Sequence, residues 1–155
     1  MRVRQVEAAA THDLRRRALR DHLPDPAVEY PDDDRPGTVH LAVEDDGGAV
    51  VAIATTFPQP TPHRPGARAA RLRGMAVDPR WRGGGVGAVL LAAVVDRARA
   101  DGFQVLWANA RDSALGFYAR HGWQVVGDGF ESIGLPHHVV LVDLHRPGTG
   151  GSEAS

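Results

Sequence analysis

The stretch Leu72-Arg73-Gly74-Met75-Ala76-Val77-Asp78-Pro79-Arg80-Trp81-Arg82-Gly83-Gly84-Gly85-Val86-Gly87-Ala88 decides the fold. Its first half closes a long strand expected from about Ala67 to Val77. Its second half opens a helix from Val86 to Ala100, where Val86, Leu90, Ala93, Val94 and Arg97 recur at the spacing of a half-buried face. The polar turn between them carries four glycines in five positions, flanked by Arg82. A helix start presents N–H groups without intrahelical partners and the positive end of the peptide dipoles. Glycines let an anion approach that backbone with no Cβ in the way, and Arg82 adds charge. A plain flexible turn would need only one glycine, so the pattern favours an anion site. Gly83 to Ala88 also fits G-x-G-x-x-A, the dinucleotide fingerprint. That match arises in any glycine-rich run. Here a polar segment, Asp78 to Arg82, separates strand from glycines, and Asp101 precedes the next strand instead of following it. The dinucleotide reading is therefore set aside.

Upstream, Val3 to Glu7 is a short strand candidate. Thr11-His12-Asp13 can cap a helix through Leu14-Arg15-Arg16-Arg17-Ala18-Leu19-Arg20, with Leu14, Ala18 and Leu19 on one face and arginines on the others. Pro24, Pro26, Pro31 and Pro36 then interrupt regular structure around Asp32-Asp33-Asp34, a triplet expected to be a solvated loop although it could attract a cationic amine. Thr38 to Glu44 alternates as a strand, Asp45-Asp46-Gly47-Gly48 has hairpin-turn chemistry, and Ala49 to Phe57 returns. Pro58 to Gly66 is a loop.

Downstream, Asp101-Gly102 ends the helix and Phe103 to Ala108 is an apolar run fit for a buried strand. Ser113 to His121 forms a second helix stopped by Gly122. Trp123 to Val126 and Val139 to Leu144 are the last strands, with a glycine-rich loop between them. The order is helix, antiparallel strands, then strand–helix–strand–helix–strand, an α/β mixture on one sheet whose opening hairpin a doubly wound parallel fold would lack.

The chain's 155 residues and 16.6 kDa amount to one domain. Hydrophobic content of 43% with 24% charged residues fits a globular protein. Eighteen basic against nineteen acidic residues leave a formal charge of −1, which gives no general attraction to nucleic acid or anionic membrane. There is no cysteine, which removes disulfides, thiolate metal sites and a cysteine nucleophile. All eighteen basic residues are arginine, so P-loop and Schiff-base lysine chemistry is excluded. No apolar run reaches the ~20 residues of a membrane span, and no signal-peptide core follows Met1. The expected location is cytoplasmic.

Arg82-x-x-Gly85-x-Gly87 resembles the R-x-x-G-x-G/A pyrophosphate motif of the GNAT acetyltransferase superfamily. Leu72 to Pro79 resembles that family's central strand, and Ala114-Leu115-Gly116-Phe117-Tyr118-Ala119-Arg120-His121-Gly122-Trp123 resembles its A-x-x-[LF]-Y-x-x-x-G-[FW] segment. The three segments keep the family's order over about Leu72 to Trp123. The resemblance implies a single GNAT-like domain over residues 1–146, with a mixed, mostly antiparallel central sheet flanked by helices, followed by a disordered tail at 147–155. It implies acetyl-CoA as donor, with pyrophosphate on the amides of Gly83, Gly84, Gly85, Val86, Gly87 and Ala88 beside Arg82. It places pantetheine along Met75, Ala76 and Val77 of a splayed central strand, and further donor contacts at Asn109, Phe117 and Tyr118. Many members carry Asn seven residues before the tyrosine; this chain has Arg111 there, and Asn109 is the candidate to take over the contact.

By the same resemblance Tyr118 is the general acid towards the CoA sulfur. A phenol titrating near ~10 suits protonation of a thiolate whose conjugate acid lies near ~8.5 or above. A tyrosine packed on the sheet with its hydroxyl satisfied by backbone is the bland alternative. A backbone N–H near Met75 or Val77 could polarise the thioester carbonyl. Phe130-Glu131-Ser132-Ile133-Gly134-Leu135-Pro136-His137 resembles an F-x-x-x-G-[IL]-P-H pattern of some GNAT subgroups. It makes His137 the preferred base or positioning histidine and Glu131 a second candidate. A His beside a Pro at a strand start is often merely exposed, and a loop Glu is usually solvated. Adjacent His137 and His138 point to opposite faces of a strand, so no metal is expected. Arginines 15, 16, 17 and 20 could line the acceptor side, but a solvated helix face is the plainer reading. Trp81 and Trp107 read as packing residues. The implied partners are acetyl-CoA and an amine acceptor, small molecule or peptide, and a homodimer is compatible with the resemblance. A non-catalytic acyl-CoA-binding module of the same fold is the alternative function.

Overall fold

Alternating valines and an Asx-turn hairpin begin the sheet of this computed structural model, which describes residues 1–19 and 28–144. Strand β1 (Arg2–Val6) pairs antiparallel with β2 (Val39–Glu44), and β2 with β3 (Val50–Pro58). The turn joining β2 to β3 is the expected one. Asp45 Oδ1 accepts from the amides of Gly47 and Ala49, both at 2.9 Å, and Gly48 supplies a left-handed φ of 88°. The remaining strands are β4 (Ala69–Val77), β5 (Val105–Arg111), β6 (Gln124–Ser132) and β7 (Leu135–Asp143). The hydrogen-bonded order is β1-β2-β3-β4-β5-β7-β6, a single seven-stranded sheet in which β4–β5 is the parallel pair among the registered ones. The crossover from β4 to β5 is helix α2 (Val86–Ala100), as a parallel pair requires.

The chain divides into two compact units. The first holds, of the described residues, 1–19, 28–57 and 73–94. Its core joins Leu14, Ala42, Ile53 and Ala76, and β2 is buried along its whole length. The second holds, of the described residues, 58–72 and 95–144. Its core joins Ala69, Val105, Trp107 and Leu141, and the Trp107 indole N–H donates to the Gln59 carbonyl at 2.9 Å, so Trp107 packs as expected. Along α2, Val86, Leu90, Leu91, Val94 and Ala98 form the buried stripe.

Three expectations need correction. The N-terminal helix is not one α-helix from Leu14. It runs as a 3-10 turn (Ala8–Thr11), one α-turn, α1 (His12–Leu14), and a π-helical stretch (Arg15–Leu19). The changed period turns Arg15 inward, and its side chain is fully buried. The glycine-rich loop expected between Val126 and Val139 is instead the hairpin of β6 and β7, with a register shift between Val126 and Phe130. Its turn is made by Ile133 and Gly134, both at positive φ, and the glycines and Pro136 hid the strand alternation. Strand β5 also starts at Val105 and runs on to Arg111, beyond the apolar run. The tail at 147–155, Arg20, Pro24, Pro26 and His145 lie outside the described residues. Among the described residues no helix is long and apolar enough to cross a membrane.

Candidate active site

In the first unit, strand β4 ends at Val77 and Asp78 organises the turn that follows. The buried Asp78 carboxylate accepts from the Arg80 amide at 3.0 Å, from Arg80 Nη2 at 3.0 Å and from Arg17 Nη1 at 3.3 Å. The Arg80 side chain and amide, against the opposing effect of burial, hold this carboxyl far below the ordinary carboxylate range. Its backbone N–H donates to the Val51 carbonyl at 2.8 Å, tying the turn to β3. Asp78 is therefore the cap of the 3-10 turn Pro79–Trp81, and it aims the chain into the glycines.

Gly83 and Gly85 take left-handed φ values of 81° and 86°. A Cβ at either would meet nothing within 4 Å, so conformation, not crowding, requires glycine there. The space over both residues is open to a ligand. Val89 N–H closes onto the Gly85 carbonyl at 3.1 Å, and the amides before it are those a helix start leaves without intrahelical acceptors. Arg82 is exposed, and its guanidinium pairs with none of the described residues. Open glycines, helix-start amides and a guanidinium with no partner among the described residues make this turn fit a pyrophosphate, with the Gly84 amide already donating to the Trp81 carbonyl at 3.4 Å. Met75 and Val77 are half-buried and Ala76 buried on the adjoining part of β4.

In the second unit, Asp112–Ala114 forms a 3-10 turn that leads into α3 (Leu115–Arg120). Tyr118 on α3 is buried against Phe117 and Trp123, with ring centroids 5.4 and 5.0 Å away. Burial pushes its phenol above the ordinary value, so the group stays protonated through the working pH range. Strand register brings other expected residues to one face. Arg111 lies opposite His137, His137 opposite Phe130, and Asn109 opposite Val139. Because alternate residues share a face, Asn109, Arg111, His137 and Phe130 line one side of the sheet. His137 is buried, stacks on Phe130 at 5.7 Å, and places Nδ1 2.8 Å from the Leu135 carbonyl. Donation from Nδ1 leaves Nε2 with the lone pair. The exposed His that a Pro-His pair suggests is thus not what the fold makes. Glu131 is exposed on β6 opposite Pro136, and alternation directs it to the other face from His137.

Sequence reasoning missed two features. His138 Nδ1 lies 2.7 Å from Asp112 Oδ1, a pair set by the β5–β7 register and not by any local motif. In the first unit, Arg15 Nη1 and Nη2 grip both oxygens of Asp33 at 2.9 and 3.0 Å. Arg15 also donates to the Val28 carbonyl and to Thr55 Oγ1, so Asp33 is no solvated loop acid. Burial pushes the Asp33 carboxyl up, but the Arg15 hydrogen bonds, the Tyr30 amide and the charges of Arg15 and His40 outweigh it and hold the group below its usual range. Asp33 within an acidic triplet and Arg15 within a basic one gave no sign of pairing.

The family model of the acetyltransferase (GNAT) family matches residues 8–123. YitI of Bacillus subtilis (strain 168), described as an uncharacterized N-acetyltransferase, is 33% identical over 146 residues, covering 94% of this chain and 97% of its own. An aminoglycoside 6'-N-acetyltransferase complexed with coenzyme A superposes with a TM-score of 0.76 at 14% identity, over 95% of this chain and 99% of that one. An acyl-CoA N-acyltransferase from Pseudomonas aeruginosa gives 0.74 at 17% identity, over 90% and 97%. The two structures establish likeness of fold, while the matched family model and the relative of nearly equal length establish descent: the chain belongs to the acetyltransferase (GNAT) family of enzymes.

Proposed function

We propose that the chain is a cytoplasmic N-acetyltransferase that moves acetyl from acetyl-CoA to an amine by direct attack in a ternary complex. The observation that carries this reading is the turn before α2: two left-handed glycines under open space, followed by the amides of a helix start and beside Arg82, which has no partner among the described residues. In it, the amides of Gly83, Gly84, Gly85, Val86, Gly87 and Ala88 take the pyrophosphate, and Arg82 adds a charge-assisted contact. Met75, Ala76 and Val77 offer strand hydrogen bonds to the amides of the pantetheine arm. Asn109, Phe117 and Tyr118 serve the donor in the second unit.

The acceptor nitrogen must be uncharged when it attacks the thioester carbon. His137 Nε2, freed as an acceptor by its Nδ1 contact, takes the proton the amine gives up, or holds the amine in line. As the C–S bond breaks, the Tyr118 hydroxyl gives its proton to the sulfur. Burial makes this phenol a weaker acid than usual, and the thiolate it serves must share the dry surroundings, which strengthen it as a base. Glu131, exposed and directed to the other face of the sheet from His137, has no place in the proton transfer of this reading.

Calorimetry with acetyl-CoA on the wild type and on Arg82→Ala/Gly85→Glu tests the donor site. Binding that is lost in the variant is expected; no binding by the wild type overturns the proposal. Release of CoA with an amine panel then separates an enzyme from a module that only binds acyl-CoA.

A further inference from the structure

Two guanidinium groups lie over the ring of Tyr30 in the first unit. Arg15 Cζ is 3.9 Å and Arg73 Cζ 4.2 Å from its centroid. Arg15 is locked there by Asp33, Val28 and Thr55, which makes Tyr30 a fixed wall. Arg73 differs. It is partly exposed, and its one polar partner among the described residues is Asp32 Oδ2 at 3.5 Å, the far limit of a hydrogen bond. Asp32 is held more closely by Arg35 at 3.1 Å. A guanidinium has five donors, so the described residues leave most of those on Arg73 unused and match its charge weakly.

The placement follows from Gly74. Its left-handed φ of 66° interrupts the alternation of β4, so that Arg73 and Gly74 both meet Tyr30, whose Cε2 would lie 3.2 Å from a Cβ at Gly74. Met75 to Val77, the proposed seat of the pantetheine arm, begins two residues further on, about 7 Å along a strand. That is the span of a small molecule carrying both an amine and an acidic group.

We propose that Arg73, steadied on Tyr30, is a specificity-determining residue that binds a carboxylate of the acceptor, making the substrate class a carboxylate-bearing amine. This rests on the acetyl-transfer reading above. Arg73 would exchange its long contact with Asp32 for a paired, charge-assisted one with the acceptor.

The test compares acceptors that differ only in the carboxylate: α-amino acids against their amides, and peptides beginning with Asp or Glu against those beginning with Asn or Gln. CoA release by the wild type should favour the carboxylate member of at least one set by about tenfold or more in kcat/KM. The first set implicates an α-carboxylate and the second a side-chain one. Arg73→Gln should bring the favoured member down to its partner, and Arg73→Glu should invert the preference. Equal rates within every pair, or an Arg73→Gln variant that lowers both members alike, overturn the proposal. Should acetyl-CoA bind and no amine be turned over, the acetyl-transfer reading fails separately. Calorimetry with the same pairs then decides the carboxylate site, equal binding within pairs overturning it.

Discussion

Arg15 and Asp33 show how one residue pair can set local structure without touching chemistry. Each charge is out of water, and each is held by the other and by Val28, Tyr30 and Thr55, while Arg15 Nε has no hydrogen-bond partner among the described residues. Breaking such a pair from one side leaves an uncompensated buried charge at a cost of about 3–5 kcal/mol. Arg15→Met is therefore expected to lower unfolding free energy by that order in urea titration, while the neighbouring exposed Arg16→Ala should change it by under about 0.5 kcal/mol. Equal effects would show that the pair is not buried in solution. The pH dependence has a defined sign. In the folded protein the Asp33 carboxyl titrates below its ordinary range. Its contribution is thus complete above the unfolded value near ~4 and is lost as pH falls through the lower folded value. Acid unfolding of the wild type should steepen below about pH 4, and Asp33→Asn should remove that component.

Turns carry the information at the next scale, and they divide into those the sequence spells out and those it hides. Asp45-Asp46-Gly47-Gly48 was legible because the Asp side chain and the glycine act within four residues. The Arg82 to Ala88 turn was legible for the same reason. The β6–β7 hairpin was not, because Gly127, Gly129, Gly134 and Pro136 interrupt alternation and β6 is mostly exposed, so no hydrophobic period marks it. The π-helical stretch escaped because a 3.6-residue pattern assigns Arg15 to the wrong face. At the site, Arg82 and the glycines could be read locally, whereas the Arg111–His137–Phe130 row depends on register across three strands. The hairpin turn also contains Ile133 at φ 47°, the one non-glycine residue with positive φ among those described. A β-branched residue there costs about 1–2 kcal/mol. Ile133→Asn should raise stability by about 1 kcal/mol in urea titration, and a loss of stability would mean that Ile133 contacts outweigh its backbone strain. By the same conformational argument Gly85→Ala should weaken acetyl-CoA binding in calorimetry even though its methyl group meets no protein atom.

Taken as a whole, the molecule has a property that no single element shows: eighteen arginines and no lysine. Arginine keeps its proton at any ordinary pH, and a protonated guanidinium is no nucleophile. The chain therefore carries positive charge for anion binding and ion pairs without presenting a single side-chain amine to its own donor. An acetyltransferase built from lysines would have those amines beside a bound thioester, and slow self-modification would compete with turnover. Arg17, Arg80 and Arg82 around the proposed donor turn are immune to that reaction. After long incubation with acetyl-CoA, peptide mapping by mass spectrometry should find no acetylated basic side chain, and CoA release without added acceptor should stay at the rate of thioester hydrolysis. Tyr118→Phe should leave acetyl-CoA binding in place and lower the acceptor-dependent rate by about tenfold or more. If the rate is unchanged, the buried phenol is only a packing residue and another group, or water, protonates the leaving sulfur.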